Sequence, residues 1–377
     1  MPDAVIVSAV RTAIGKKNGA LSKTRADELL AHVLKAAVAR ADLDPALVDD
    51  VIAGCVTQVG EQGFNVARVA ALCAGFPVEV TGTTVNRQCG SSQQAFHFAV
   101  QAVQSGAMDV VLAAGVEAMS RVPMGSDGMV QPSPWFPASP MYGYKFVMQH
   151  ESAEMVAEKW GISRRQCEEL ALASHQRAAA AIEKGRFKDE ILPLGGFAVD
   201  EGVRANSTLE KLATLAPVVK PDGVVTAGTS SQISDGAAAV LVMSAERAAA
   251  LGKRPRARVK AMAVAGVDPV MMLHGPIPAT RKVLARAGLA LGDIGLFEVN
   301  EAFASVPLAW AKELGAPLDR TNVNGGACAL GHPLGASGCR LLTTLLHEME
   351  KRDVRYGLST MCIGFGQGTA TVLDRQV

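Results

Sequence analysis

Two stretches decide the fold: TVNRQCGSSQQAFHFAVQAV (84–103) and NVNGGACALGHPLGASGCRLLTTLLHEM (322–349). Each starts from a VN pair at the end of a strand-like run, passes through a turn rich in Gly and Ser, and enters a helix. The sequence around them matches too. PATRKVLARAGLALGDIGLFEVNEAF (278–303) parallels ADELLAHVLKAAVARADLDPALVDDVIAG (26–54): amphipathic helix, short Leu/Asp-containing turn, strand. YGLSTMCIG (356–364) takes the place of DVVLAAG (109–115). One module therefore occurs twice, and the pattern predicts a duplicated core with a pseudo-twofold axis at which matched loops meet.

Local patterning sets the class. Leu29, Leu30, Val33, Leu34, Ala37 and Val38 recur at helical spacing over 26–40. VDDVIAGCV (48–56) and DVVLAAG are continuous apolar runs, as buried strands require, and Val5 to Val10 read as a core strand. Helix alternating with buried strand predicts an α/β fold whose sheets are covered on both faces. Between the copies, 117–232 differs in character. PSPWFPASPMYGYKF (132–146) is rich in Pro and aromatics and predicts an inserted lid, stiffened by a helix over 151–184 broken near Gly161. The expected domains are 1–116 with 233–254, an inserted loop domain 117–232, and 255–377.

Composition narrows the function. A net charge of +1 over 377 residues gives no footprint for nucleic acid or an anionic membrane surface. No apolar run has the length of a membrane span, and the N-terminus lacks a signal-peptide pattern, so a soluble cytoplasmic protein is expected. Seven cysteines, widely spaced and without CxxC, argue against a disulfide framework, and seven histidines without HxxxH or HExxH argue against zinc. A small buried hydrophobe is the default for each cysteine, and it suits Cys55, Cys73 and Cys167.

Cys89 sits where a strand gives way to a helix, so the helix dipole and free N–H groups favour a thiolate. From position alone, core filler still outranks nucleophile. His332 lies in the matching glycine-rich turn of the second copy, which raises its functional reading level with a structural one. CIGFGQG (362–368) resembles a dinucleotide fingerprint, but the alternating TATVLD that follows predicts a strand and excludes it. Its glycines predict a tight turn that exposes Cys362 and frees backbone donors. Asn300 and Glu301 end a buried strand, either as a capping pair or as site residues that orient water.

Taken together, VSAVRTAIGK (7–16), VNRQCGSS (85–92), GVEAMSRVPM (115–124), TAGTSSQISDGAA (226–238), VNEAFA (299–304), NGGACALGHPLGASG (324–338) and CIGFGQG resemble the thiolase family over essentially the whole chain. The resemblance implies a five-layered thiolase-type α/β core and CoA-dependent cleavage of a 3-ketoacyl-CoA through an acyl-cysteine. It makes Cys89 the nucleophile, His332 its base and Cys362 the second acid/base. One oxyanion site would use His332 with a water held by Asn300, the other the N–H groups of Cys89 and Gly364. Ser231 would touch the pantetheine arm and Arg204 the phosphates of coenzyme A. Coenzyme A is implied as co-substrate, with no metal or redox cofactor, and a homodimer or homotetramer is expected. A biosynthetic acetoacetyl-CoA-forming enzyme is the alternative; a decarboxylating condensing enzyme fits less well, because it would not need Cys362. The sequence departs from the family at Gln149 and His150, where a Met-Gly pair is common, at Gln232 after Ser231, and at Phe365. These departures point to an altered acyl pocket, and the lid sequence suggests one suited to a bulky or ring-derived acyl group.

Overall fold

The computed structural model describes residues 2–129, 143–145 and 147–377. The stretch 132–146, expected as a lid, lies outside the described residues except for 143–145. Among the described residues the strands are β1 (Ala4–Thr12), β2 (Gly15–Lys16), β3 (Asp50–Gly54), β4 (Thr81–Val85), β5 (Val110–Ala118), β6 (Ile191–Leu192), β7 (Ser234–Ser244), β8 (Ala257–Gly266), β9 (Leu296–Val299), β10 (Tyr356–Ile363) and β11 (Gln367–Asp374).

The main sheet runs β4-β3-β5-β7-β1-β8-β11-β10-β9. In the first half β3 is parallel to β4 and β5, while β7 is antiparallel to both β5 and β1. The second half repeats the pattern. β9 is parallel to β10, and β11 is antiparallel to β10 and β8. Phe297 of β9 also makes a parallel bridge to Thr321, where the counterpart of β4 belongs. The halves join antiparallel at the centre, Val5 with Arg258 and Ile6 with Ala257. The same order therefore reads outward from both sides of the seam, as the sequence repeat requires.

Packing resolves this into five layers. Leu29, Leu30 and Leu34 of the helix Ala26–Arg40 cover one face of the first half, against Val51, Leu112 and Leu241. Ile277, Val283 and Trp310, from the helices Pro276–Ala287 and Ser305–Leu314, cover the outer face of the second half against Phe297, Leu358 and Val372. Between the halves lie the two repeat helices, Ser91–Gln104 and Ser337–Lys351, sharing a core of Phe96, Val100, Leu342 and Leu345 with Val111 and Leu373. They cross at minimal distance: a Cβ on Gly338 would lie 2.1 Å from the backbone nitrogen of Gln93.

The central position explains the polar residues of the first repeat helix, since a buried polar group is costly unless it is bonded. Gln93 donates to the Ser359 carbonyl (3.3 Å) and to Thr371 Oγ1 (3.2 Å), and accepts from Thr369 Oγ1 (2.5 Å). His97 pairs with Thr371 Oγ1 at 2.8 Å. The helix after Cys89 is thereby bonded to the sheet that carries Cys362.

One expectation of the fold needs correction. Cys73 is exposed, because the helix Val66–Cys73 buries Val66, Ala67, Ala70 and Ala71 and its last residue falls outside that stripe. The helix expected over 151–184 with a break near Gly161 is present as two helices, Gln149–Lys159 and Arg164–Glu183. Gly161 breaks them at φ +57°, and Ser163 with Gln166 forms a capping box that starts the second. Among the described residues no helix is long and apolar enough to cross a membrane, and no group of three or more His, Cys, Asp or Glu could hold a metal ion.

Candidate active site

The Cys89 turn is built by its own polar residues. Asn86 anchors it from below, Nδ2 donating to the Val56 carbonyl at 2.9 Å and Oδ1 accepting from the Gln88 N–H at 2.8 Å. Ser91 closes it: Oγ accepts from the Arg87 N–H (3.0 Å) and donates to the Gln88 carbonyl (2.6 Å). Gln88 is held at φ +47°, a strained conformation for a residue with a side chain, and its neighbour Cys89 is thereby presented just before the helix that starts at Ser91. Small residues allow the second half to close over the turn. A Cβ on Gly90 would lie 2.4 Å from Cδ1 of Ile363, at the end of β10.

That closure brings the two halves onto one sulfur. Cys89 is buried at 2 % exposure, and its sulfur is met by the N–H of Gly364, by its own N–H and by the side chain of Gln149. Burial pushes the thiol up to about 11, against these three donors, and the carboxylate of Glu117 adds to the rise. The Cys362 thiol is raised by burial and, second, by the Cys89 sulfur beside it. The two sulfurs therefore disfavour each other's thiolate, and one negative charge is the most the pair readily holds.

Cys362 is fully buried, which corrects the expectation that its turn exposes it. It lies within β10, opposite Gly368, and packs in a cluster with Met272, Leu273 and Ala302. The turn itself is as expected: Phe365 at φ +61° and Gly366 at φ +79° reverse the chain between β10 and β11. A Cβ on Gly366 would meet the Val267 carbonyl oxygen at 2.4 Å, so that position accepts only glycine.

His332 is buried, with its tautomer fixed by geometry. Ser337 Oγ donates to the Pro333 carbonyl at 2.8 Å, so the hydroxyl proton is used there and the oxygen accepts from His332 Nδ1–H at 2.6 Å. Nε2 keeps its lone pair and accepts from Asn300 Nδ2 at 3.3 Å. Burial lowers the imidazole to about 3, with the charge of Arg340 adding to the fall, so the ring is neutral at physiological pH. Asn300 Oδ1 is buried without a partner among the described residues, leaving an acceptor free beside the imidazole. Cys89 and His332 share no direct hydrogen bond, but Leu334 of the His332 turn packs in one cluster with Cys89 and Met361.

The NEAF pair divides its two readings. Asn300 faces His332, whereas Glu301 is structural: it accepts from Ser174 Oγ (2.7 Å), Asn322 Nδ2 (2.8 Å) and the Cys328 N–H (3.1 Å). Ser231 is half-buried and donates its N–H to the Ala302 carbonyl at 2.9 Å, next to the Asn300 turn. Gln232 staples three loops, donating to the carbonyls of Gly202 (2.9 Å), Cys328 (3.0 Å) and Ala329 (3.1 Å) while its own carbonyl accepts from the His332 N–H. Arg204 is exposed and is not brought to the sulfur cluster; its backbone N–H donates to His175 Nδ1 at 3.1 Å.

Sequence reasoning missed Glu117 and Ser337 and took Gln149 only as a pocket residue. Glu117 accepts from the N–H groups of Val56 (3.0 Å), Thr57 (3.1 Å) and Gly335 (2.8 Å) and from Gln62 Nε2 (2.9 Å). It thus ties the floor of the Cys89 turn to the His332 turn. An acidic residue in the otherwise apolar run VVLAAGVEA is the signal that could have found it.

Comparison with known proteins agrees with this architecture. The thiolase N-terminal domain matches residues 4–246 and the thiolase C-terminal domain residues 253–375. A 3-ketoacyl-CoA thiolase of Aeromonas hydrophila is 50% identical over 390 residues, covering 100% of both chains. A steroid 3-ketoacyl-CoA thiolase of Mycobacterium tuberculosis is 48% identical over 388 residues, covering 100% of this chain and 95% of its own. The crystal structure of human mitochondrial 3-ketoacyl-CoA thiolase in complex with CoA superposes with a TM-score of 0.92 at 38% identity, covering 100% of this chain and 98% of that one. With both domains of the family in order across the duplicated core, the chain belongs to the thiolase family.

Proposed function

We propose that the protein cleaves 3-ketoacyl-CoA thiolytically, giving acetyl-CoA and a shortened acyl-CoA through an acyl group on Cys89. The observation that carries this reading is the meeting of the Cys89 sulfur with the Gly364 N–H, a donor supplied by the other half of the molecule. In the first step His332 Nε2 takes the thiol proton and the sulfur attacks C3 of the substrate. The C2–C3 bond breaks, and the proton of Cys362 goes to C2 of the departing acetyl-CoA. In the second step the Cys362 thiolate takes the proton of incoming CoA. The CoA sulfur attacks the thioester, and Cys89 leaves and recovers its proton from His332. Each step develops an oxyanion, which needs fixed donors. The N–H groups of Cys89 and Gly364 serve one, and protonated His332 with a water held by Asn300 serves the other. Ser231 and Arg204 are assigned to the pantetheine arm and the phosphates of CoA. The reverse reaction, a Claisen condensation, uses the same groups.

The names of the relatives, together with Gln149 and His150 in the acyl pocket, support a degradative role on a bulky or ring-derived 3-ketoacyl-CoA. Segment 117–232, which supplies Gln149, is assigned as the inserted domain over that pocket. A homo-oligomer is also proposed. Among the described strands β4 pairs only with β3, and near that edge Phe64 is 96 % exposed and Val78 72 %; edges of this kind are normally covered. Trapping with a 3-ketoacyl-CoA and peptide mass spectrometry tests the catalytic reading: the acyl adduct should sit on Cys89 and be absent from Cys89→Ala. An adduct on another residue would overturn it.

A further inference from the structure

The three donors at the Cys89 sulfur are not equivalent. Two are backbone N–H groups that any residues at 89 and 364 would supply. The third is a side chain, and it belongs to the segment between the two copies of the module. We propose that Gln149 is a further catalytic residue, its side-chain amide donating to the Cys89 sulfur and holding the thiolate during attack and departure. The proposal rests on Cys89 being the nucleophile.

The placement is rigid. Gln149 opens the helix Gln149–Lys159, whose first turn is closed by the Met148 N–H donating to Glu151 Oε2 at 2.7 Å. Ser305 Oγ ties the same helix down through the Ala153 carbonyl at 3.0 Å. Ala153, Val156 and Ala157 pack in one cluster with Met272, Leu273 and Cys362, so the helix is fixed to the strand that carries the second thiol. Gln149 Nε2 lies 3.1 Å from where a Cβ on Gly364 would stand, and Gln88 Cγ is 3.6 Å from the same point. The amide therefore packs directly against Gly364, and a side chain at 364 would press on it. An amide suits the task. It donates an N–H to a thiolate, does not ionise, and remains neutral when the thiolate becomes a thioester.

The other charged and titratable groups that act on the sulfur are Glu117 from β5 and Cys362 from β10, and His332 lies in the second glycine-rich turn, whose Leu334 packs with Cys89. Arg87, in the Cys89 turn itself, is bonded to Gln367. All four stay in place when residue 149 alone is changed, so a difference between variants isolates the amide.

The test is the rate at which iodoacetamide alkylates Cys89 as a function of pH, read on the Cys89 peptide by mass spectrometry in the full chain. In Gln149→Met the apparent thiol pKa should rise by about one unit, and alkylation near pH 8 should fall about tenfold, the size expected for one lost hydrogen bond to a charge. Gln149→Glu should be slower still, because a carboxylate then faces the thiolate. This order, wild type fastest and Glu slowest, is one that a purely structural role would not produce. Near-UV circular dichroism checks the fold of each variant, and Gln149→Leu replaces the Met variant if that one is perturbed. Superimposable profiles for wild type and folded Met or Leu variants overturn the role of the amide while leaving Cys89 as nucleophile. Acylation of the wild type by a 3-ketoacyl-CoA at another residue, with Cys89 unmodified, instead overturns the nucleophile assignment.

Discussion

Gly115→Ala should separate the two halves of the site by a known distance. Gly115 lies on β5, between the helix that follows Cys89 and the turn that carries His332. A Cβ there would stand 2.2 Å from the Gly335 carbonyl oxygen, 2.5 Å from Ser92 Cβ and 3.0 Å from Ala336 Cα. Ordinary contact for a Cβ begins at 3.4 Å, so the two turns must part by roughly 1 Å. Neither contact is the free end of a flexible side chain, and both are held elsewhere, Gly335 by Glu117 and Ser92 by the Cys339 N–H. Overpacking of this kind costs about 1–3 kcal/mol of stability. A 1 Å error between reacting groups costs about 100-fold in rate. Thiolysis of acetoacetyl-CoA should therefore lose about two orders of magnitude in kcat, with a smaller change in the KM for CoA and a modest fall in melting temperature. Gly292→Ala is the control: nothing lies within 4 Å of its Cβ position, and both activity and stability should be unchanged. A folded Gly115→Ala protein with near-normal kcat would refute the claim that contact between these turns sets the distance from Cys89 to His332.

Two further substitutions separate roles. Cys362→Ala should still acquire an acyl group on Cys89 from an acyl-CoA, since the nucleophile and both donor sets persist, while thiolytic turnover falls by about 10²–10⁴, the usual worth of a general acid–base; normal turnover would remove Cys362 from the mechanism. Ser337→Ala leaves Nδ1–H of a buried imidazole without its acceptor, so kcat should fall about tenfold or more with KM little changed, as expected when a buried partner is lost. Steady-state kinetics over a CoA titration checks it, and an unchanged kcat would show that the hydroxyl does not orient His332.

The duplicated core was legible because each copy carries its periodicity locally: helical spacing in 26–40, an apolar run in 109–115, a VN pair before each turn. The candidate site was legible for the same reason, since matched turns of a repeat meet at its axis. What escaped the sequence was long-range. In the seam strand Ala257–Gly266 only Ala257, Val259 and Ala263 are buried and Lys260 and Gly266 are exposed, so it has no clean signature; it pairs with β1 only at one end. Cys362 appeared exposed because its glycines mark a turn, but a turn at the edge of one layer is covered when another packs against it. Glu117 and Gln149 were missed as site residues because their partners lie 218 and 60 residues away: Gly335 for the first, by direct bond, and Cys89 for the second.

The proton inventory decides how attack begins. Burial raises the Cys89 thiol and lowers the His332 imidazole, so moving the proton from Cys89 to His332 in the resting protein is uphill before the attraction of the resulting ion pair is counted. A standing thiolate–imidazolium pair is excluded unless that attraction recovers nearly all of this, and no hydrogen bond joins the two residues in the structure to supply it. The resting site therefore stores a neutral thiol beside a neutral base. Transfer becomes favourable when a carbonyl oxygen enters, because the charge then forms on that oxygen, where His332 as imidazolium can face it. Alkylation of the free protein by iodoacetamide has no such oxygen and should report the bare thiol. Its rate at Cys89 should rise about tenfold per pH unit from pH 7 to 10, with no plateau, because burial holds the thiol above its ordinary value throughout that range. A plateau beginning below pH 8 would show a preformed ion pair, and with it that attraction across the site outweighs burial.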